Sequence, residues 1–209
     1  MSSSLYATLP NLVLGFHGCD RKVAEKVISL KDILKKSTNT YDWLGNGIYF
    51  WENNPSRALE FAALLKKYPE RANAEIKEPA VVGAIIDLGY CLNLLEHEHL
   101  QIVKQSYEFL VDTLKKASLP IPQNASVGNS RDLLLRRLDR AVIESIHAYN
   151  KDNDERPYDS VRAAFIEGEE LYSNSGFNEK NHIQICIRNP NCIKGYFLPL
   201  ERSTEYIVP

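Results

Sequence analysis

The apolar positions change period along the chain. Residues 12–18, LVLGFHG, are a short apolar run closed by glycine and predict a buried strand. In residues 21–36, Val23, Val27, Ile28, Ile33 and Leu34 recur at roughly helical spacing, with a break near Leu30. Residues 48–51, IYFW, predict a second strand; it follows a turn holding Gly45 and Gly47 and precedes a polar turn, NNPS. There Asn54 suits a helix N-cap and Pro55 a first helical turn. That helix runs over 56–67, with Leu59, Phe61, Ala62, Leu64 and Leu65 available to a core. Residues 80–88, AVVGAIIDL, are β-branched and predict a central strand, which CLNLLE continues past a turn or bulge at Gly89. Residues 97–119 keep the 3.6 period through Leu100, Val103, Tyr107, Leu110, Val111 and Leu114. Residues 131–150 repeat it, with Leu133, Leu134, Leu138, Val142 and Ile146 inward and Arg131, Arg136, Arg137 and Arg140 outward. Strand patterns return at 160–166, at 182–187 and in CIKGYFLP. Strands early and late with helices between predict a mixed, largely antiparallel α+β domain over 1–209, carrying a helical insertion at about 97–150.

Charge and cysteine content narrow the field. A formal net charge of -2 supplies no global field for nucleic acid or an anionic membrane. Cys19, Cys91, Cys186 and Cys192 show no CxxC pair and no metal-like spacing with histidine, which predicts reduced thiols in a cytoplasmic chain and no resident metal. No apolar run reaches the ~18 residues of a membrane span, and the start MSSSLYATLP does not read as a secretion signal. The Rossmann and P-loop fingerprints are absent from the sequence. The arginines of 131–140 read as a solvated helix face or as a contact for a nucleic-acid backbone or an acidic partner.

Three separated stretches carry the candidate chemistry: His17-Gly18, Gly45-Asn46-Gly47-Ile48-Tyr49-Phe50, and Gln184 in HIQICIRNPNCIKGYF. On these residues the chain resembles the ADP-ribosyltransferase superfamily, on the branch similar to poly(ADP-ribose) polymerases and diphtheria toxin. That branch has a His-Gly on its first strand, a Gly-x-Gly-x-Tyr-Phe segment, and a glutamate at the start of a late strand. Residues 80–92 resemble the strand that follows the second motif. Aligning the late strand on Asn189-Pro190 places Gln184 where the family has glutamate, a His-Tyr-Gln variant of a His-Tyr-Glu motif.

The resemblance implies a split antiparallel β core and NAD as substrate. His17 would grip a ribose hydroxyl, and backbone groups at Gly18 would hold the nicotinamide carboxamide. Gly47 would shape the turn that presents Tyr49, whose ring would stack on nicotinamide, with Phe61 as a second wall. Gln184 would handle the reacting ribose. An amide forms the hydrogen bond but brings no charge, which favours single transfer over chain elongation. A carboxylate must then come from elsewhere, with Glu167 the first candidate and Glu179 and His182 weaker ones. His182 shares a strand face with Gln184 and stands on the acceptor side. The reading is a mono-ADP-ribosyltransferase of bacterial toxin type, acting on a protein or nucleic-acid acceptor, with an antitoxin as a fitting partner. A silent NAD or ADP-ribose binding module, an NAD glycohydrolase and an RNA 2′-phosphotransferase are the other readings of the same scaffold.

Overall fold

The computed structural model describes residues 12–71, 74–127 and 132–207. β1 (Leu12–Asp20) takes in the first apolar run, and Asp20 then caps α1 (Arg21–Ile28), accepting from the Lys22 amide at 3.0 Å. The break expected near Leu30 is where the helix ends. Leu30 takes φ 56°, and the Lys31 N–H returns to the Lys26 carbonyl at 2.9 Å, closing the helix in a way more often served by glycine. β2 (Ile48–Glu52) and α2 (Pro55–Lys67) form as expected, with Asn54 accepting from the Arg57 amide at 3.1 Å. β3 (Pro79–Asp87) does not run on into the next apolar residues. Gly89 turns with φ 60°, and β4 (Cys91–Asn93) lies at the far edge of the sheet.

α3 (His97–Lys116) precedes a small antiparallel pair, β5 (Asn124–Ala125) and β6 (Leu135–Arg136). α4 (Arg137–Asp152) therefore begins later than its periodicity suggests. Leu133 and Leu134 come before it, and Arg131 falls outside the described residues. β7 (Ser160–Phe165), β8 (His182–Ile187) and β9 (Ile193–Phe197) complete the elements.

Seven strands form one sheet in the order β4-β7-β8-β2-β1-β3-β9, and every neighbouring pair is antiparallel except β4 with β7. Directly opposed residues share a face and faces alternate along a strand. One face carries Phe50, Val82, Ile86, Ile185 and Ile187 under Ala24 and Val27 of α1. The other carries two clusters. Phe16 and Trp51 pack under Ala58 of α2, and Leu92, Val161 and Cys186 pack under Ile143 and Ile146 of α4.

α2 meets the sheet through its small residues. Ala58 and Ala62 are its fully buried positions, while Leu59, Phe61 and Leu64 are 45%, 38% and 40% exposed, contrary to the core expected from the sequence. The reason is Gly18: a Cβ there would lie 2.0 Å from the Ala58 carbonyl oxygen, so the helix sits closer than any larger pair would allow. No helix of the described residues is long and apolar enough to cross a membrane.

Candidate functional site

The middle of the sheet divides. β1 and β2 pair only at Gly15↔Glu52 and Phe16↔Trp51. Beyond that point β1 stays on β3 through Gly18↔Val81 to Asp20↔Pro79, and β2 stays on β8 through Tyr49↔Cys186 to Ile48↔Ile187. The two strands go on, but apart from each other, and His17-Gly18 and Tyr49 border the gap. The Asn53 N–H donates to the Leu14 carbonyl at 2.9 Å, so the even residues of β1 aim their amides and carbonyls at β2. Gly18 with Tyr49 is the next such pair, and it is missing from the ladder.

His17 spans the gap instead. Its Nδ1 lies 2.8 Å from the Tyr49 carbonyl oxygen, so Nδ1–H donates and Nε2 carries the lone pair. Burial lowers the His17 pKa against the opposing pull of that carbonyl, which keeps the ring neutral. No protein group of the described residues bonds Nε2, and it remains an acceptor for a hydroxyl.

The Tyr49 side chain is fixed from its own turn. Its oxygen accepts from the Leu44 N–H at 3.0 Å and donates to the Gly45 carbonyl at 2.8 Å. Gly45 can close this turn because it takes φ 82°, with Glu144 and Ile143 of α4 filling the space where a Cβ would stand. Burial raises the phenol well above its ordinary pKa, so the ring is neutral and half-buried. Gly47 exchanges backbone bonds with Ser37, at 2.8 and 3.1 Å, and packs on Cys186. Register places the Tyr49 ring on the Trp51 face and the His17 ring on the Phe50 face. The two residues thus meet through the Tyr49 carbonyl and not ring to ring.

Gln184 lies opposite Trp51 and Ala163 on the face of the Tyr49 ring. Its Oε1 accepts from the Trp43 indole N–H at 2.6 Å. His182 shares that face, stacked on Phe165 at 5.3 Å with Trp51 at 6.1 Å. Its Nδ1 bonds the Lys180 carbonyl at 2.6 Å, and its Nε2 is buried without a partner, as are Trp51 Nε1 and Arg57 Nε. Burial lowers the His182 pKa, and the nearby Arg57 charge lowers it further, against the Lys180 carbonyl.

No family model matches the chain, and no solved structure matches it. The chain is 27% identical over 199 residues to an uncharacterized protein, MJ0359, of Methanocaldococcus jannaschii; the match covers 86% of this chain and 83% of that protein.

The remaining expected residues sit elsewhere. Glu167 lies two residues past the end of β7 and four past Ala163, the residue paired with Gln184. Its Oε2 accepts from Arg57 at 2.9 Å. Phe61 packs on Trp51, with ring centroids 5.0 Å apart. The arginine stripe is divided in use. Arg136 does not face solvent but lies over the Trp43 and Phe165 rings at 5.0 and 4.3 Å, and Arg140 donates to the Asn46 side chain at 2.9 Å. Arg137 is exposed.

Trp43, Arg57 and the Glu52–Arg162 pair were not foreseen from the sequence. Arg162 donates to both carboxylate oxygens of Glu52, at 2.6 and 2.8 Å, largely out of solvent. Trp43 had one available signal, its place two residues before Gly45 in the turn that holds Tyr49. The ion pairs join residues 110 apart, which no local pattern signals. The thiols offer no nucleophile: burial pushes Cys19 and Cys91 up to about 11 and Cys186 up to about 12.

Proposed function

We propose that the chain is an NAD-dependent mono-ADP-ribosyltransferase on an ADP-ribosyltransferase-like fold, binding NAD where β1 and β2 part. The observation that carries this reading is the interruption of the central ladder at the His-Gly motif, opposite the motif tyrosine. The gap offers what NAD needs. Gly18 supplies a paired N–H and C=O, matching the acceptor and donor of a carboxamide. His17 supplies a neutral acceptor for a ribose hydroxyl, and Tyr49 a fixed neutral ring that can stack on a cationic pyridinium for about 0.5–2 kcal/mol. Bond cleavage between ribose and nicotinamide passes through an oxocarbenium-like state. Gln184 orients the ribose, and its lack of charge fits one transfer per acceptor.

A second reading, a binding module for NAD or ADP-ribose, is favoured by one contact. Trp43 takes one of the two lone pairs of the Gln184 carbonyl oxygen and fixes the amide, and a neutral amide does not stabilise positive charge developing on ribose as a carboxylate would.

The deciding experiment uses NAD labelled either in nicotinamide or in adenine, with the full chain and a cell lysate. Nicotinamide release with adenine label on a macromolecule supports transfer, and a tenfold or greater loss in His17→Ala is expected. Binding without release selects the module, and free ADP-ribose without a labelled acceptor selects hydrolysis. Absence of NAD binding overturns the whole reading. For the toxin role the expected result is growth arrest on expression, relieved by Tyr49→Ala; normal growth of cells making the wild-type protein refutes it.

A further inference from the structure

A concave site lies on the side of Gln184 away from β1. It is a cavity of about 340 Å³ between α3, α4 and the turn before β2. Trp43 and Tyr107 supply its aromatic edges, Val142 and Ile143 line its wall, and Lys104, Arg136 and Asp139 are its charged groups. That volume is near the lower end of small-ligand sites, ~300–1,000 Å³. The Trp43 indole that borders it is the group bonded to Gln184. Anything seated there therefore lies next to the residue assigned to the reacting ribose.

The charge pattern says what enters. Arg136 lies over the Trp43 and Phe165 rings, its Nε donates to the Leu133 carbonyl at 2.9 Å, and one nitrogen reaches Asp139 at 3.4 Å. It is a cation on the cavity lining beside the Trp43 ring. Lys104 is exposed with no carboxylate partner among the described residues, and Arg137, next to Arg136, is likewise exposed and unpaired. Asp139, held by the Asn124 amide at 2.8 Å, is an acceptor within the cavity. Aromatic edges and a cation inside, an acceptor for an amino group, a free lysine on the lining and a second exposed cation at the start of α4 match a base flanked by phosphates. An acidic peptide would use the cations but not the aromatic edges. A paired base cannot enter a concave site without leaving its stack.

We propose that this cavity takes an unpaired nucleobase of a single-stranded nucleic acid, the acceptor of the transferase reaction. The proposal rests on the reading of the site as an NAD-dependent transferase. In the transfer, the bond from ribose C1″ to the nicotinamide nitrogen breaks, and its electron pair leaves with nicotinamide. A nitrogen lone pair of the base forms the new bond to C1″, and the proton that nitrogen sheds passes to solvent.

The test is fluorescence anisotropy of a labelled, mixed-sequence single-stranded 12-mer with the full chain, without NAD, against the same sequence as a duplex. The expected result is tighter binding of the single strand. With Lys104 and Arg137 engaged, the plot of log K against log salt should have a slope of about -1.4, at ~0.7 per phosphate neutralised. Lys104→Glu and Tyr107→Ala should each weaken binding tenfold or more while melting like wild type, and both positions are exposed enough for folding to survive. Labelled NAD should then mark the oligonucleotide. Equal binding of duplex and single strand, variants that bind as wild type, or label entering a protein that the oligonucleotide does not compete with would each overturn the proposal. Because the binding arm contains no NAD, a protein that ignores NAD but holds the single strand in this manner sinks the transferase reading and leaves the cavity's ligand class standing.

Discussion

Gly18→Ala separates two reasons for a glycine at the motif. In the structure the glycine is required by α2, whether or not NAD is present. An added Cβ would stand 2.0 Å from the Ala58 carbonyl oxygen and 3.2 Å from the Ala62 methyl. Non-bonded contacts below 3.0 Å from a Cβ are essentially never seen, so α2 must lift by about 1 Å. That movement opens the seam that buries Phe16, Trp51 and Ala58. Overpacking of this kind costs ~1–3 kcal/mol, and backbone against a new methyl belongs at the upper end. The entropy gained on replacing glycine returns at most ~1 kcal/mol. A net loss of about 2 kcal/mol is expected in urea denaturation of the ligand-free protein, with unchanged m. Gly195→Ala is the control. Nothing lies within 4 Å of its added Cβ, and the expected change is a gain of about 0.4–1 kcal/mol. Ala62→Gly added to Gly18→Ala should not restore stability, because the closest clash is with backbone. A Gly18→Ala protein as stable as wild type would refute the packing argument and leave ligand approach as the reason for the glycine.

Three other outcomes test particular groups. His147 is buried on α4 with both ring nitrogens unbonded; burial first, then the Arg188 charge, lowers its pKa from 6.5 to about 4, with Glu144 opposing. The unfolded chain therefore binds the extra proton between those values, and stability present above pH 6.5 is lost as pH falls toward 4, by about 3 kcal/mol. His147→Leu should flatten that part of the profile, and an unchanged slope in denaturation at pH 7 against pH 4.5 would refute the assignment. Glu52→Gln should cost about 3 kcal/mol by leaving Arg162 without its carboxylate, and Glu52→Met with Arg162→Met should recover most of it; additive losses in the double mutant would contradict a coupled pair. Gln184→Glu should raise nicotinamide release at least tenfold if this side chain touches the reacting ribose, and equal or slower release removes it from that role.

The sequence exposed those features whose cause is local. The strand–turn–helix from Ile48 to Lys67 was legible because Asn54 and Pro55 act within one turn of themselves. β8 was legible from its alternation. What failed had distant causes. The short β5–β6 pair takes residues from the front of the α4 pattern. Phe61 reads as a core residue until Gly18 draws the small side of α2 inward. The candidate site was legible to the same degree. His17, Gly18 and Tyr49 do converge, but the contact is an imidazole on a carbonyl, and no pattern of residue types reveals which way two rings project from adjoining strands.

The broken ladder is the feature that most needs a cause. Backbone N–H and C=O groups inside a protein are almost always bonded, and each one buried and unmet costs ~1–3 kcal/mol. An outer strand can leave such groups to water, but β1 and β2 lie at the centre of seven strands. Closing one more pair, Gly18 with Tyr49, would continue a register already set by Gly15↔Glu52 and Phe16↔Trp51. Instead the Tyr49 carbonyl is given a side-chain partner, His17, whose own desolvation is unfavourable for its charged form. α2 meanwhile presses on Gly18 so closely that only glycine fits. A sheet seeking stability alone would close the pair and not use the histidine. The glycine follows from α2, while the open pair and the histidine on the Tyr49 carbonyl make physical sense if the Gly18 amide and carbonyl are kept for a ligand that presents one acceptor and one donor side by side.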